Sequence, residues 1–123
     1  HKIYHFLNIF HNTKTYFTPI HIEHDKYLCV IMKRKTLRCI CNDNILWDIC
    51  ICSNINTQPL CNHDNTFVYF TSTESYLYKI CIQTGTIVWN IKINGKIAFR
   101  PILHEGSIYL QTNKPSNLYK IIA

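Results

Sequence analysis

The sequence predicts an all-β repeat protein, and three observations carry that prediction. Of the 123 residues 47% are hydrophobic and 16% charged, too apolar for a disordered chain, with only three Gly. Ile, Tyr, Phe, Val and Thr, the residue types that fit a pleated surface, are abundant. Apolar residues alternate with period two in short runs separated by polar turns, and the pattern returns about every 40 residues. No run approaches about 18 uncharged apolar residues, so no transmembrane helix is expected.

The repeat is clearest in three segments, LNIFHNTKTYFTP (7–19), WDICICSNINTQP (47–59) and WNIKINGKIAFRP (89–101). They align without a gap over thirteen residues, begin with Leu or Trp, end on Pro19, Pro59 and Pro101, and lie 40 and 42 residues apart. Residues 26–41 align with 66–81 at a constant offset of 40, and 106–122 follow the same plan with one extra turn residue. Leu37, Leu77 and Leu118 are then equivalent, as are Ile40, Ile80 and Ile121, and Val30, Phe70 and Leu110.

The best copy resolves into strands at 56–62, 66–72, 76–82 and 86–93. In the last of them Ile87, Trp89, Ile91 and Ile93 alternate with Val88, Asn90 and Lys92, and in the third Tyr78, Ile80 and Ile82 alternate with Leu77 and Cys81. Both faces are largely apolar, which suits a sheet covered on both sides. A helix is disfavoured because no window keeps an i, i+3, i+4, i+7 stripe free of β-branched crowding.

Four short strands per repeat with both faces covered describe a β-propeller blade. Residues 1–15 are expected to end a preceding blade, with its outer strand near 3–12, while 16–53 and 56–93 form complete blades. Residues 97–123 begin a final blade that stops before its outer strand. Propellers close with about four to eight blades. The chain is therefore expected to be part of a larger ring, whose N-terminal side supplies the missing strand.

YKICIQTGTIVW (78–89) resembles the signature of the PQQ-like (quinoprotein alcohol dehydrogenase-like) propeller repeat, A-x-D-x-x-T-G-K-x-x-W. Thr84, Gly85 and Trp89 match, while Lys79, Cys81 and Thr86 stand where Ala, Asp and Lys are usual. The earlier copy keeps Trp47 and has a shorter turn, Asn42-Asp43-Asn44, in which Asn44 is expected to take the left-handed conformation of Gly85. Gly85 permits positive φ in the turn, and Thr84 can bond nearby backbone. Trp47 and Trp89 are expected to pack between blades, where truncation to Ala would cost about 3–5 kcal/mol if they are buried.

Gly95-Lys96-Ile97-Ala98-Phe99-Arg100-Pro101 and the end Leu118-Tyr119-Lys120-Ile121 make the chain most similar to the C-terminal propeller of the beta-alanine-activating enzymes of the acyl-CoA synthetase family. That resemblance implies a non-catalytic scaffold or interaction module. Its partners would be the rest of the propeller, adjoining domains of the same polypeptide and a protein partner, with ATP-dependent acyl or amino-acid activation performed elsewhere in the parent. A fragment of a PQQ-dependent quinoprotein oxidoreductase and a bacterial envelope scaffold propeller share the repeat and are the alternatives.

Chemistry-bearing residues read as architecture. Cys39-x-Cys41, Cys50-x-Cys52 and Cys61-x-His63 suggest zinc ligands, but structural zinc pairs use two to four intervening residues, and these positions are ordinary strand positions in the repeat. Zinc is therefore not expected. Nor is PQQ: no Cys-Cys pair exists, and Glu23, Asp25, Asp43, Asp48, Asp64, Glu74 and Glu105 fall mainly in expected turns. Ser53, Ser72, Ser75, Ser107 and Ser116 lack a nucleophile-elbow context, and His21, His24, His63 and His104 follow the repeat prolines or lie in the next turn. No catalytic, cofactor-binding or metal-binding residue is expected.

The formal charge is +6, and Lys33, Arg34, Lys35 and Arg38 form its main cluster, read as a solvated loop. Nucleic acid would need basic residues interleaved with exposed aromatics, so neither nucleic acid nor a membrane is expected as a partner. The chain starts at His1 without a basic-then-apolar segment, has an odd number of cysteines, seven, and carries no Asn-x-Ser/Thr sequon. The first of these says little about compartment; the cysteine pattern and the missing sequon read as a cytoplasmic chain.

Overall fold

The computed structural model describes residues 14–31 and 33–123, so the expected outer strand near 3–12 lies outside the described residues. All regular structure described is antiparallel β, in two compact units, one ending at Cys52 and one spanning Ser53–Ala123. The first unit is a sheet of β1 (Tyr16–Glu23), β2 (Lys26–Ile31), β3 (Thr36–Cys41) and β4 (Asn44–Cys50), paired in chain order. The second unit holds two sheets. One is β5 (Leu60–Cys61), β6 (Phe67–Thr71), β7 (Tyr76–Cys81) and β8 (Ile87–Lys92), again in order. The other comprises β9 (Lys96–Ile97), β10 (Ile102–His104), β11 (Ser107–Asn113) and β12 (Asn117–Ile122), with β9 and β10 both pairing β11.

The innermost strand is broken where one run was expected over 56–62. An Ile55–Ser72 bridge precedes β5, just as β9 precedes β10. Pro59 and Pro101 lie buried immediately before β5 and β10, and a residue without an N–H cannot donate to the ladder. Pro19 differs: it is exposed and inside β1, an edge strand whose pairing skips from Tyr16↔Val30 to Ile20↔Leu28. The register shift accommodates the missing donor.

The hairpins β3–β4 and β7–β8 share one design. Cys39 pairs Trp47 and Lys79 pairs Trp89, and each hairpin shifts register at the next residue. That shift sets Ile87 opposite Ile80, so Ile87 does not continue the Trp89 row. The turns differ. Gly85 has φ 75°, as expected, and its N–H donates to the Cys81 carbonyl at 2.8 Å. In the shorter turn the left-handed residues are Asn42 (φ 51°) and Asp43 (φ 63°), not Asn44, which already pairs Cys41 as the first residue of β4. Two consecutive positive-φ residues make the primed turn that matches strand twist. Thr84 bonds the Thr86 hydroxyl at 2.8 Å rather than backbone.

The constant offset of 40 fails inside one hairpin. Leu37 pairs Val30, whereas Leu77 pairs Thr71 rather than Phe70. A one-residue difference in the connection moves a strand's side chains to the opposite face. The third sheet keeps the second sheet's register, Ile108↔Ile121 matching Val68↔Ile80.

In the first unit Cys29, Ile31 and Ile40 cluster on one face, and Leu28, Val30, Leu37 and Cys39 are buried on the other. In the second unit Leu60, Tyr69 and Leu77 of one sheet pack against Ile97, Ile108 and Leu110 of the next. Trp89 packs at the edge of this core but is only half-buried, as is Trp47, so each indole contributes less than a fully buried one. Leu118, equivalent to the fully buried Leu77, is 76% exposed.

Burial, not repeat position, therefore sets the energetics. Leu77→Ala is expected to cost about 2–5 kcal/mol, and Leu118→Ala to stay within about 0.5 kcal/mol. Urea unfolding of the two variants measures the contrast; equal losses would contradict it.

Candidate functional site

The second and third sheets enclose an open cleft of about 800 Å³ at one end of their shared core. The β5–β6 turn forms part of its rim. The Asn62 Oδ1 accepts from the N–H groups of Thr66 and Phe67 at 2.9 and 3.0 Å. The Asp64 carboxylate accepts from the Thr66 hydroxyl at 2.7 Å and the Thr66 N–H at 3.1 Å. These Thr66 bonds hold the Asp64 carboxyl below the usual carboxylate range. The turn is thus rigidly bonded, and it carries His63 to the rim. The opposite wall is Arg100, Pro101 and Leu103, with Glu105 in the following turn.

Lys79 projects from the middle of β7 into this cleft. Pairing places Tyr69, Lys79 and Trp89 in one row across the sheet. The Lys79 ammonium lies 4.0 Å from the Phe67 ring centroid and 5.9 Å from that of Tyr69. Such cation–π contacts stabilise by about 0.5–2 kcal/mol. Neither Lys79 nor Arg100 forms an ion pair with a carboxylate among the described residues, and Glu105 lies 3.6 Å from His104. The cleft therefore combines apolar walls with excess positive charge.

Behind the cleft a polar network ties the two sheets together. The Asn56 side-chain N–H donates to the Ile97 carbonyl at 3.1 Å, and its Oδ1 accepts from the Thr71 hydroxyl at 2.5 Å. Thr57 and Thr71 hydroxyls are 2.9 Å apart. Sequence reasoning placed Asn56 and Thr57 in the first strand of the repeat but missed this role, because alternation within a strand does not tell which polar residue bonds a neighbouring sheet. Gly95 is similarly specific: at φ 112°, a Cβ there would meet Thr112 Oγ1 at 2.8 Å.

Of the sequence-signature residues, Thr84, Gly85 and Trp89 share the β7–β8 hairpin, Pro101 lines the cleft, and Pro59 adjoins Leu60 on its wall. Trp47 and Pro19 belong to the first unit. Arg38 corrects the solvated-loop reading: it is 11% exposed and donates to both Asp48 carboxylate oxygens, at 2.8 and 2.9 Å. Asp48 is accordingly a strand residue rather than a turn residue. Lys33, Arg34 and Lys35 alone form the exposed turn cluster.

The seven cysteines are all free, and no group of three or more His, Cys, Asp or Glu converges among the described residues. Cys50 Sγ instead lies 3.4 Å from the Thr36 hydroxyl. Burial pushes the Cys29 thiol up from its ordinary 9.0 to about 12, and those of Cys39 and Cys61 to about 11. Burial, reinforced by the Asp64 charge, also raises the Tyr69 hydroxyl. Thiols so protonated at neutral pH are poor nucleophiles and metal ligands.

The same shifts fix a pH dependence. The folded state holds these protons more tightly than the unfolded state, so their contribution is complete below about pH 9 and lost as pH rises towards 11 and 12. Melting temperature is expected to fall across that window, and less steeply in Cys61→Val. An identical slope in that variant would contradict the assignment for Cys61.

No protein-family model matches the chain, and no curated protein matches it. Solved structures do. BamB from Moraxella catarrhalis aligns with a TM-score of 0.61 at 17% identity, over 82% of this chain and 31% of that one. Apo AztD from Citrobacter koseri aligns at 0.59 and 11% identity, over 71% and 25%. The WD40 β-propeller domain of Doa1 aligns at 0.56 and 13% identity, over 86% and 40%. The chain thus spans between a quarter and two-fifths of these proteins' lengths. Together with its successive antiparallel sheets of four strands, the likeness shows the fold: this chain is part of a β-propeller.

Proposed function

We propose that the chain is a non-catalytic segment of a PQQ-like propeller that acts as a scaffold or interaction surface. Its parent is read as a cytoplasmic acyl- or amino-acid-activating enzyme of the beta-alanine-activating type. One observation carries the scaffold reading. The outer face of the third sheet repeats the packed face of the second: Ile102, Tyr109, Leu118 and Lys120 stand where Leu60, Tyr69, Leu77 and Lys79 stand. In the second sheet this face is covered by its neighbour and Leu77 is 0% exposed. In the third, Ile102, Leu118 and Ile122 are 65%, 76% and 75% exposed, and β12 has no outer strand beside it among the described residues. A face built for packing and left uncovered is the surface on which a further blade or partner seats.

The PQQ-like assignment is supported by the Thr84-Gly85 turn and by Trp89 at the sheet–sheet contact. The activating-enzyme parent rests on the sequence resemblance alone. Contiguous sequence tests it: an AMP-binding signature and a carrier Ser are expected upstream, whereas Ca²⁺ ligands with a Cys-Cys pair would indicate a quinoprotein oxidoreductase, and a lipoprotein signal an envelope scaffold. Calorimetric titration with PQQ and Ca²⁺ tests the non-catalytic reading directly. No saturable heat is expected, and saturable binding overturns it.

A further inference from the structure

We propose that the cleft between the second and third sheets binds a small organic carboxylate with an apolar body, its charge met by Lys79. The cleft lies wholly within one unit, so this inference stands apart from how the ring is completed.

Lys79 is the unusual residue. It lies on the face of β7 that packs against the third sheet, between Leu77 and Cys81 in the alternation and in the row of Tyr69 and Trp89. A half-buried lysine is uncommon on a packed sheet face, and its ammonium calls for a counter-charge or polar partner. What meets it in the structure is aromatic, the rings of Phe67 and Tyr69. Those contacts orient the ammonium without neutralising it. Arg100 on the facing wall also lacks a carboxylate, and His63 adds a third basic group at the rim.

The walls are mainly apolar, with Leu60 and Phe67 on one side and Pro101 and Leu103 on the other. Asn62 and Glu105 are the other polar side chains of the lining, and the Glu105 carboxylate lies 3.6 Å from His104, so the two cations Lys79 and Arg100 outnumber the single carboxylate. A volume of about 800 Å³ falls within the range of small-molecule sites. Charge complementarity selects an anion, and the apolar walls select one with a hydrophobic body rather than a bare inorganic ion.

The repeat supplies an internal control. Lys120 stands in the third sheet as Lys79 stands in the second, and its ammonium is 6.0 Å from the Tyr109 ring, as Lys79 is 5.9 Å from Tyr69. Lys120 is exposed and, unlike Lys79, is not part of the cleft lining.

The test uses the full chain with Trp47→Phe, which leaves Trp89 as the fluorescence reporter beside Lys79. 3-Phenylpropanoate is titrated, with its neutral amide and inorganic phosphate in parallel. The acid is expected to change Trp89 emission saturably, and to bind at least about tenfold more tightly than amide or phosphate. Lys79→Met should weaken the acid by a similar factor, Lys79→Arg should retain it, and Lys120→Met should leave it unchanged. Circular dichroism checks that each variant folds, and if Lys79→Met does not, the amide comparison and Lys79→Arg still decide. No saturable change, equal binding of the amide, equal binding of phosphate, or full affinity in folded Lys79→Met overturns the proposal.

Discussion

The second unit depends on one contact, the face-to-face packing of its two sheets. Leu60, Tyr69 and Leu77 from one side and Ile97, Ile108 and Leu110 from the other exclude water from a shared core, with Ile93 in the connection between them. Each sheet alone would leave this face wet, since a lone four-stranded sheet has nothing to bury it against. The Asn56–Thr71–Thr57 network and the bond from Asn56 to the Ile97 carbonyl sit at the margin of that core. Apolar area supplies the driving force there, and the polar bonds fix how the sheets align.

This contact also explains the cleft. Tight packing of the apolar rows holds the sheets together, while the connection through Arg100 and Pro101 leaves them apart at one end. Lys79 occupies the boundary between the packed and open regions. Its aliphatic stem can lie along apolar surface while the ammonium rests on aromatic faces.

Repetition is as informative where it fails as where it holds. The paired hairpins keep the same register shift beside Trp47 and Trp89, so their backbone plan is common to both copies. The β2–β3 and β6–β7 connections differ by one residue, so Val30 lies on the face of Leu37 and Trp47, whereas Phe70 lies on the face opposite to that of Leu77 and Trp89. Val30 and Phe70 are both buried in spite of this, because both faces of these sheets are apolar. A hydrophobic residue on a sheet covered from two sides carries no record of which side it faces.

By itself the sequence determined the all-β class, the period of about 40 residues, the strand count per repeat and the positive-φ turn at Gly85, since alternation, turn chemistry and internal alignment are local. It placed Pro59 and Pro101 at the innermost strand, though not as interruptions of it. Only the tertiary structure decided that Arg38 meets Asp48, that Asn56 spans two sheets, and that Lys79 opens into a cleft while its repeat partner Lys120 does not. Each depends on pairing between segments distant in the chain, or on whether another sheet lies opposite. The same strand sequence is core where a neighbour covers it and surface where none does, as Leu77 and Leu118 show.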